Sequence, residues 1–302
     1  MDQDSREGAG SVQGDYLLST ANLIQTLKVM TTTASGLVSK VQLVRAWRDI
    51  AAGWCLRRLW GTLALQDIRQ RYRRSKIGPF WLTISMGVMI GALGLLYGTL
   101  FKIELGDFLP YVAAGFVVWG LMSGFVMDST NSFIAAEGLI RQLSVPLSVH
   151  IYRDIWRNLL IFAHNFWIFV IISLLFGVFP GPFAFLLALL GVSILALNAL
   201  WLGLLLGLIS ARFRDIPQII ASVIQVTFFL TPIIWQADML PERAIVLNWN
   251  PFYHFLELVR APLLGQFPSF SNWVAVLLMT ATGWLLTIFI YAKYRWRIAY
   301  WV

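Results

Sequence analysis

Residues 69–101, RQRYRRSKIGPFWLTISMGVMIGALGLLYGTLF, decide the reading of this chain. Arg69, Arg71, Arg73, Arg74 and Lys76 crowd into its start, and from Gly78 no charge follows until Lys102. A bilayer core about 30 Å thick needs about 20 helical residues to cross it, so the apolar run predicts a spanning helix. The arginines beside it predict that its first end stays on the cytoplasmic side, held against anionic lipid.

The rest of the 302 residues extends the pattern. The chain is 58% hydrophobic and only 13% charged, where a soluble domain carries about 25% charged residues. Uncharged apolar segments recur at 79–101, 109–127, 159–179, 182–211, 216–235 and 273–292. The expected fold class is therefore an all-α polytopic membrane protein with six transmembrane helices. The fourth segment exceeds what a bilayer needs and should tilt or protrude. The net charge of +8 flanks apolar spans instead of forming a patch on a soluble domain, so no nucleic-acid partner is expected. Cys55 is the single cysteine, which excludes an intrachain disulfide. The polar start MDQDSREGAG has no apolar core beside it, so no cleaved signal peptide is expected.

Loop charges orient the spans. The rich segments hold Arg57, Arg58 and the opening cluster; Arg141, Arg153 and Arg157; Arg212 and Arg214; and Lys293, Arg295 and Arg297. The alternate loops hold Lys102 alone, no Lys or Arg in FPGPF, and Arg243 with Arg260. All rich segments fall on one side of a six-span arrangement, which predicts that both termini are cytoplasmic.

Five segments outside the spans carry further readings. Residues 1–46 form an N-terminal extension, expected to be mobile for most of its length, ahead of a membrane domain at 47–302. From Trp54, the apolar Leu56, Leu59, Trp60 and Leu63 fall at helical spacing against Arg57, Arg58, Arg69 and Arg73, as in an amphipathic helix lying in the membrane interface. Between the second and third spans, Leu139, Ile140 and Leu143 give a short apolar face ended by Pro146, which suits either a docking helix or a simple connector. In SARFRDIPQII, Asp215 and Pro217 suit a helix start, while Arg212 and Arg214 suit the end of the helix before it. The loop at 236–272 is unusually apolar. Asn250 is a good N-cap, Pro251 fits the first helical position, and Phe252, Phe255, Leu256 and Val259 form a stripe that Pro262 should stop. Too short to span, this helix is expected to be re-entrant on the outer side, with Glu257 and Arg260 near a pore mouth or in the headgroups.

Several chemistries find no support. There is no G-x-x-x-x-G-K-[ST] phosphate loop, no G-x-S-x-G elbow and no His/Cys cluster at metal-ligand spacing. Intramembrane charge is sparse, with Asp128 the one acidic candidate, which disfavours a proton- or ion-coupled pump. His164 reads as a helix-packing hydrogen bonder. A membrane-embedded glycosyltransferase would need an acidic cluster, which Asp49, Asp67 and Asp128 do not form by spacing. Among 14 Trp, 21 Phe and 9 Tyr, Phe116, Trp119, Phe125 and Phe133 run through the second span. They suit helix packing or an aromatic path on which sugar rings stack.

DIRQRYRRSKIGPFW resembles the segment before the first span of type-2 ABC transporter permeases that export cell-surface polysaccharides. The pattern falls on Asp67, Arg69, Arg71, Tyr72, Gly78 and Trp81, with Ile77 where Leu is more usual. LSVPLS with Pro146, SARFRDIPQII with Arg214 and Asp215, FFLTPIIW with Pro232, NPFYHFLELVRAPLLG and the final RWRIAYWV resemble later family segments in order, from Trp47 onward. The resemblance implies a homodimer in a bacterial inner membrane, paired with two copies of an ABC ATPase subunit. ATP and Mg would bind that partner, with no cofactor or metal on this chain. The implied cargo is a lipid-linked glycan, such as an undecaprenyl diphosphate-linked O-antigen; teichoic acid, simple lipid or drug are alternatives. On this view Arg57, Arg58, Leu139, Arg141 and Pro146 couple to the ATPase. Arg69, Arg71, Arg73 and Arg74 receive the lipid diphosphate. Phe116, Trp119, Phe125 and Phe133 line the glycan channel, Arg212, Arg214 and Asp215 form the cytoplasmic turn, and Pro251, Glu257 and Arg260 form an outer gate.

Overall fold

A computed structural model describes residues 38–302 apart from 72, 74–77, 79 and 238–246. Most of the expected N-terminal extension, together with Arg74, lies outside the described residues. Those that are described form helices and turns with no strand. Helices α1 (Lys40–Cys55) and α2 (Arg57–Arg71) precede the first long apolar helix, α3 (Phe80–Phe101). There follow α4 (Leu105–Ala135), the short α5 (Glu137–Gln142), α6 (Ser148–Phe176), α7 (Pro182–Arg212), α8 (Ile216–Leu230), α9 (Pro251–Leu263) and α10 (Phe270–Tyr294). A 3-10 turn, Arg295–Arg297, and α11 (Ile298–Trp301) close the chain.

Five helices, α3, α4, α6, α7 and the continuous stretch from α10 to Trp301, are long and apolar enough to cross a membrane. The expected span at 216–235 is helical only over the 15 residues of α8, short of the ~20 that a crossing needs. The expected loop between the second and third spans is mostly helix. Helix α4 runs on to Ala135 and α6 begins at Ser148, leaving α5 and a few extended residues between them.

Helix α4 is the axis of the fold. The most apolar part of α4 is 67% buried, against 11% to 39% for the other long helices. It packs on α3, α6, α7, α8 and α9. With lipid outside, apolar side chains gain nothing by meeting each other, and close backbone approach takes over. Helices α7 and α9 show this at Gly191, where a Cβ would lie 2.7 Å from the Leu258 carbonyl oxygen.

The expected single amphipathic helix from Trp54 is instead broken at Leu56 into α1 and α2. Tyr152 on α6 packs at the break. Trp54 and Trp60 both pack on its ring, at 5.7 and 5.9 Å. Residues six apart point about 120° from each other on a straight helix, so one ring can meet both only across a bend.

At the other end of the bundle, α9 begins as expected. Asn250 Oδ1 accepts from the amides of Phe252 and Tyr253 at 3.0 and 3.4 Å, and Pro251 takes the first helical position. Asn250 Nδ2 also donates to Thr231 Oγ1 at 3.0 Å, tying α9 to the end of α8. Pro262 lies in the last turn, and the helix ends one residue later.

Gly191→Leu should force α9 off α7 and destabilise the protein by ~2–3 kcal/mol, through overpacking against backbone that cannot yield. Unfolding in mixed detergent micelles measures this.

Candidate functional site

The charged residues that seemed scattered along the sequence converge where α2, α4 and α6 meet. Arg157 Nη1 lies 2.8 Å from Asp67 on α2, and Nη2 lies 2.8 Å from both Asp128 on α4 and Asp154 on α6. Arg153, one turn away on α6, also pairs with Asp67, its Nε at 2.6 Å. Ser132 donates to Asp154, and Asn158 Nδ2 donates to Asp128 at 2.7 Å. Three carboxylates thus share two guanidinium groups, and the Arg157 side chain is 13% exposed. Asp67 and Asp128 meet the same arginine, with Asp154 as the third carboxylate, while Asp49 lies in a separate network. Arginine fills the space between those three, and among the described residues no acidic, His or Cys group could hold a metal ion.

Asp67 lies before the first spanning helix. Burial raises its pKa, but hydrogen bonds and charge from Arg153 and Arg157 outweigh that and hold it below its ordinary 3.8. Its carboxylate therefore favours the folded state above about pH 4, and this contribution fades as pH falls through the folded value.

The residues expected to meet the ATPase are mostly outward-facing. Arg57, Arg58, Leu139 and Arg141 are exposed, and Pro146 is half-buried. Arg141 pairs with Glu137 at 2.9 Å, and its Nε donates to the Val302 carbonyl at 3.1 Å. Arg69, Arg71 and Arg73 are exposed, as a charged receiving surface requires. Arg212, Arg214 and Asp215 are exposed at the turn between α7 and α8. Arg212 stacks on the Trp301 ring at 5.6 Å, and Arg214 reaches the Trp301 carbonyl at 3.3 Å.

The four aromatics of α4 divide. Phe116 and Trp119 form a cluster with Phe228 of α8 and Phe252 of α9, with ring centroids 5.5–5.7 Å apart. Phe125 lines an apolar cavity of about 400 Å³ with Asn198, Trp201, Phe255 and Met279. Phe133 is fully buried. His164 Nδ1 lies 2.8 Å from the Leu160 carbonyl, and Asn165 accepts from Thr83 Oγ1 at 3.4 Å, joining α6 to α3.

At the α9 end, Arg260 is 2% exposed instead of facing headgroups. Its Nε donates to Glu257 at 3.0 Å, its Nη1 donates to the Pro232 carbonyl, and its guanidinium lies 4.3 Å over the Tyr111 ring of α4. The Tyr111 hydroxyl reaches the carbonyls of Pro232 and Trp235, both at 3.0 Å. The non-helical residues 231–235 are thereby pinned to α4 and α9. Pro251 is exposed and Glu257 is half-buried.

Comparison supplies the family of this frame of long apolar helices. Residues 58–264 match the ABC-2 type transporter family, and the chain belongs to it. Membership means that the chain works with an ATPase subunit. The O-antigen export system permease protein RfbA of Klebsiella pneumoniae is 21% identical over 242 residues, 78% of this chain and 91% of the relative. RfbA of Myxococcus xanthus is 21% identical over 203 residues, 66% of this chain and 78% of the relative.

Asp67→Asn should lower stability at neutral pH by ~2 kcal/mol, since it leaves two arginines underpaired. Unfolding of both proteins as a function of pH checks this, and the difference should shrink as pH falls below about 4.

Proposed function

We propose that this chain is the transmembrane subunit of an ATP-driven exporter that moves a lipid-linked polysaccharide across a bacterial cytoplasmic membrane. Similarity to O-antigen export permeases along 242 residues carries the reading. In this proposal two copies pair and bind two ATPase subunits, which supply the ATP and Mg sites. The chain crosses six times with both termini cytoplasmic, its fifth crossing made by α8 with residues 231–235.

The geometry supports the division of labour. Helix α5, the loop after it and Arg57 and Arg58 offer an exposed docking face for the ATPase. Arg69, Arg71 and Arg73, with Arg74, draw the lipid diphosphate, for which planar guanidinium groups are well shaped. Val88, Leu96 and Leu100 on α3 and Val226 and Phe229 on α8 are apolar and exposed, faces that a second copy would cover. The glycan would pass along the aromatic cluster of Phe116 and Trp119, whose faces suit the C–H surfaces of sugars. Arg260 and Glu257 keep the outer side in shape.

Deletion of the gene, with surface and intracellular glycan followed separately, tests the proposal. Loss of the surface polymer with lipid-linked polymer accumulating inside is expected. An unchanged surface would contradict the cargo, and absence of the polymer from both pools would favour an enzyme. Replacing Arg69, Arg71, Arg73 and Arg74 with Gln should cut export by ~10-fold or more while membrane insertion persists, because each charged hydrogen bond to a phosphate contributes ~1.5–3 kcal/mol. Quantifying surface polymer against permease in the membrane reads this out.

A further inference from the structure

A second buried polar centre joins Asp49, Tyr291 and Arg295, on either side of the family-matched residues 58–264, to Leu147 and Ser148 within them. Asp49 on α1 is 5% exposed. Four donors converge on its carboxylate: the amides of Leu147 and Ser148 at 3.2 and 3.1 Å, the Tyr291 hydroxyl at 2.8 Å, and Arg295 Nη2 at 3.1 Å. The Asp49 carbonyl accepts from Ser148 Oγ at 2.7 Å. Gly53, one turn along, leaves no room for a side chain, since a Cβ there would meet Ser148 Oγ at 2.1 Å. Arg295 also donates to the Arg45 carbonyl at 2.7 Å, and Trp47 stacks on Trp284 of α10 at 6.0 Å.

Helix α6 has no cap of its own. Its N-cap position is Leu147, a side chain without an acceptor. Asp49 supplies the acceptor from 98 residues away and sets a negative charge at the positive end of the helix dipole. A Ser or Asp at 147 could reach only the amides of Val149 and His150, and would leave those of Leu147 and Ser148 to Asp49. It could not join α6 to α1 and α10. The segment between α5 and α6 is also held at its other end, where Arg141 donates to the Val302 carbonyl.

We infer that Asp49 is a positioning residue for energy coupling. It holds the α5–α6 loop in one body with α1 and the end of α10, so that a push on the loop moves helices instead of bending the loop. The inference rests on the proposal above in taking that loop as the ATPase docking face.

The test uses the full chain assembled with its ATPase in lipid nanodiscs and in vesicles loaded with lipid-linked glycan extracted from cells. Hydrogen exchange at residues 143–149 and glycan exported per ATP hydrolysed are measured together. In Asp49→Ala, exchange should speed by ~10-fold or more, as a lost charged cap predicts. Export per ATP should fall several-fold while hydrolysis continues. Adding Leu147→Asp, which returns a negative charge to the start of α6 but no tie to α1 or α10, should not restore export per ATP. Recovery of export per ATP in that double variant would reduce Asp49 to a charge at the helix end and overturn the inference, as would unchanged exchange in Asp49→Ala. If Asp49→Ala fails to accumulate, Tyr291→Phe with Arg295→Gln cuts the ties to α10 and leaves the α6 amides capped. Lower export per ATP then supports the inference, and unchanged coupling overturns it. A wild-type assembly that hydrolyses ATP but exports nothing would sink the export proposal alone, and the exchange comparison would still decide whether Asp49 holds the loop.

Discussion

Arg157 holds together what the hydrophobic effect cannot. Apolar helices in lipid have little reason to choose one register over another, whereas a guanidinium bonded to Asp67, Asp128 and Asp154 admits one arrangement of α2, α4 and α6. Burying such a group is costly, and an ion pair of this kind seldom adds net stability over a well-packed apolar substitute. Its value lies in specificity, because any slip of α4 along α6 would strand a charge. Removing one partner is costly for the same reason, at ~3–5 kcal/mol for a buried pair.

Helix α4 carries this logic to both ends. Asp128 and Ser132 fasten it to α6 at one end, and Tyr111 fastens it to Arg260 and residues 231–235 at the other. Between these polar fastenings the buried contacts are mainly apolar and aromatic.

Much of the frame was legible in the sequence. Hydropathy located the long helices, and the Asn250–Pro251 pair announced α9, because a capping amide and a ring with fixed φ both fit a helix start. The short apolar face at Leu139, Ile140 and Leu143 foretold α5. The polar cluster was not legible, for a physical reason. Ser132, Asp154, Arg157 and Asn158 are polar because they face one another across two helices, and polarity on its own reads as loop. Once residues 148–176 are known to be helical, Asp154, Arg157 and Asn158 fall on one face at i, i+3 and i+4. Asp49 was still less accessible, since its partner Tyr291 lies 242 residues away. Arg260 read as exposed because a lone arginine usually is, and nothing local announced that Tyr111 would lie beneath it.

Arg157 fixes α2 to the end of α4. The most direct measurement places spin labels at Gln70→Cys on α2 and Asn131→Cys on α4, both exposed, in a Cys55→Ser background. Pulsed dipolar spectroscopy then gives the distance distribution in lipid, with Arg157 present and with Arg157→Met. One narrow distance with Arg157, giving way to a broad or shifted distribution without it, is the predicted result. A distribution indifferent to Arg157 would contradict the account.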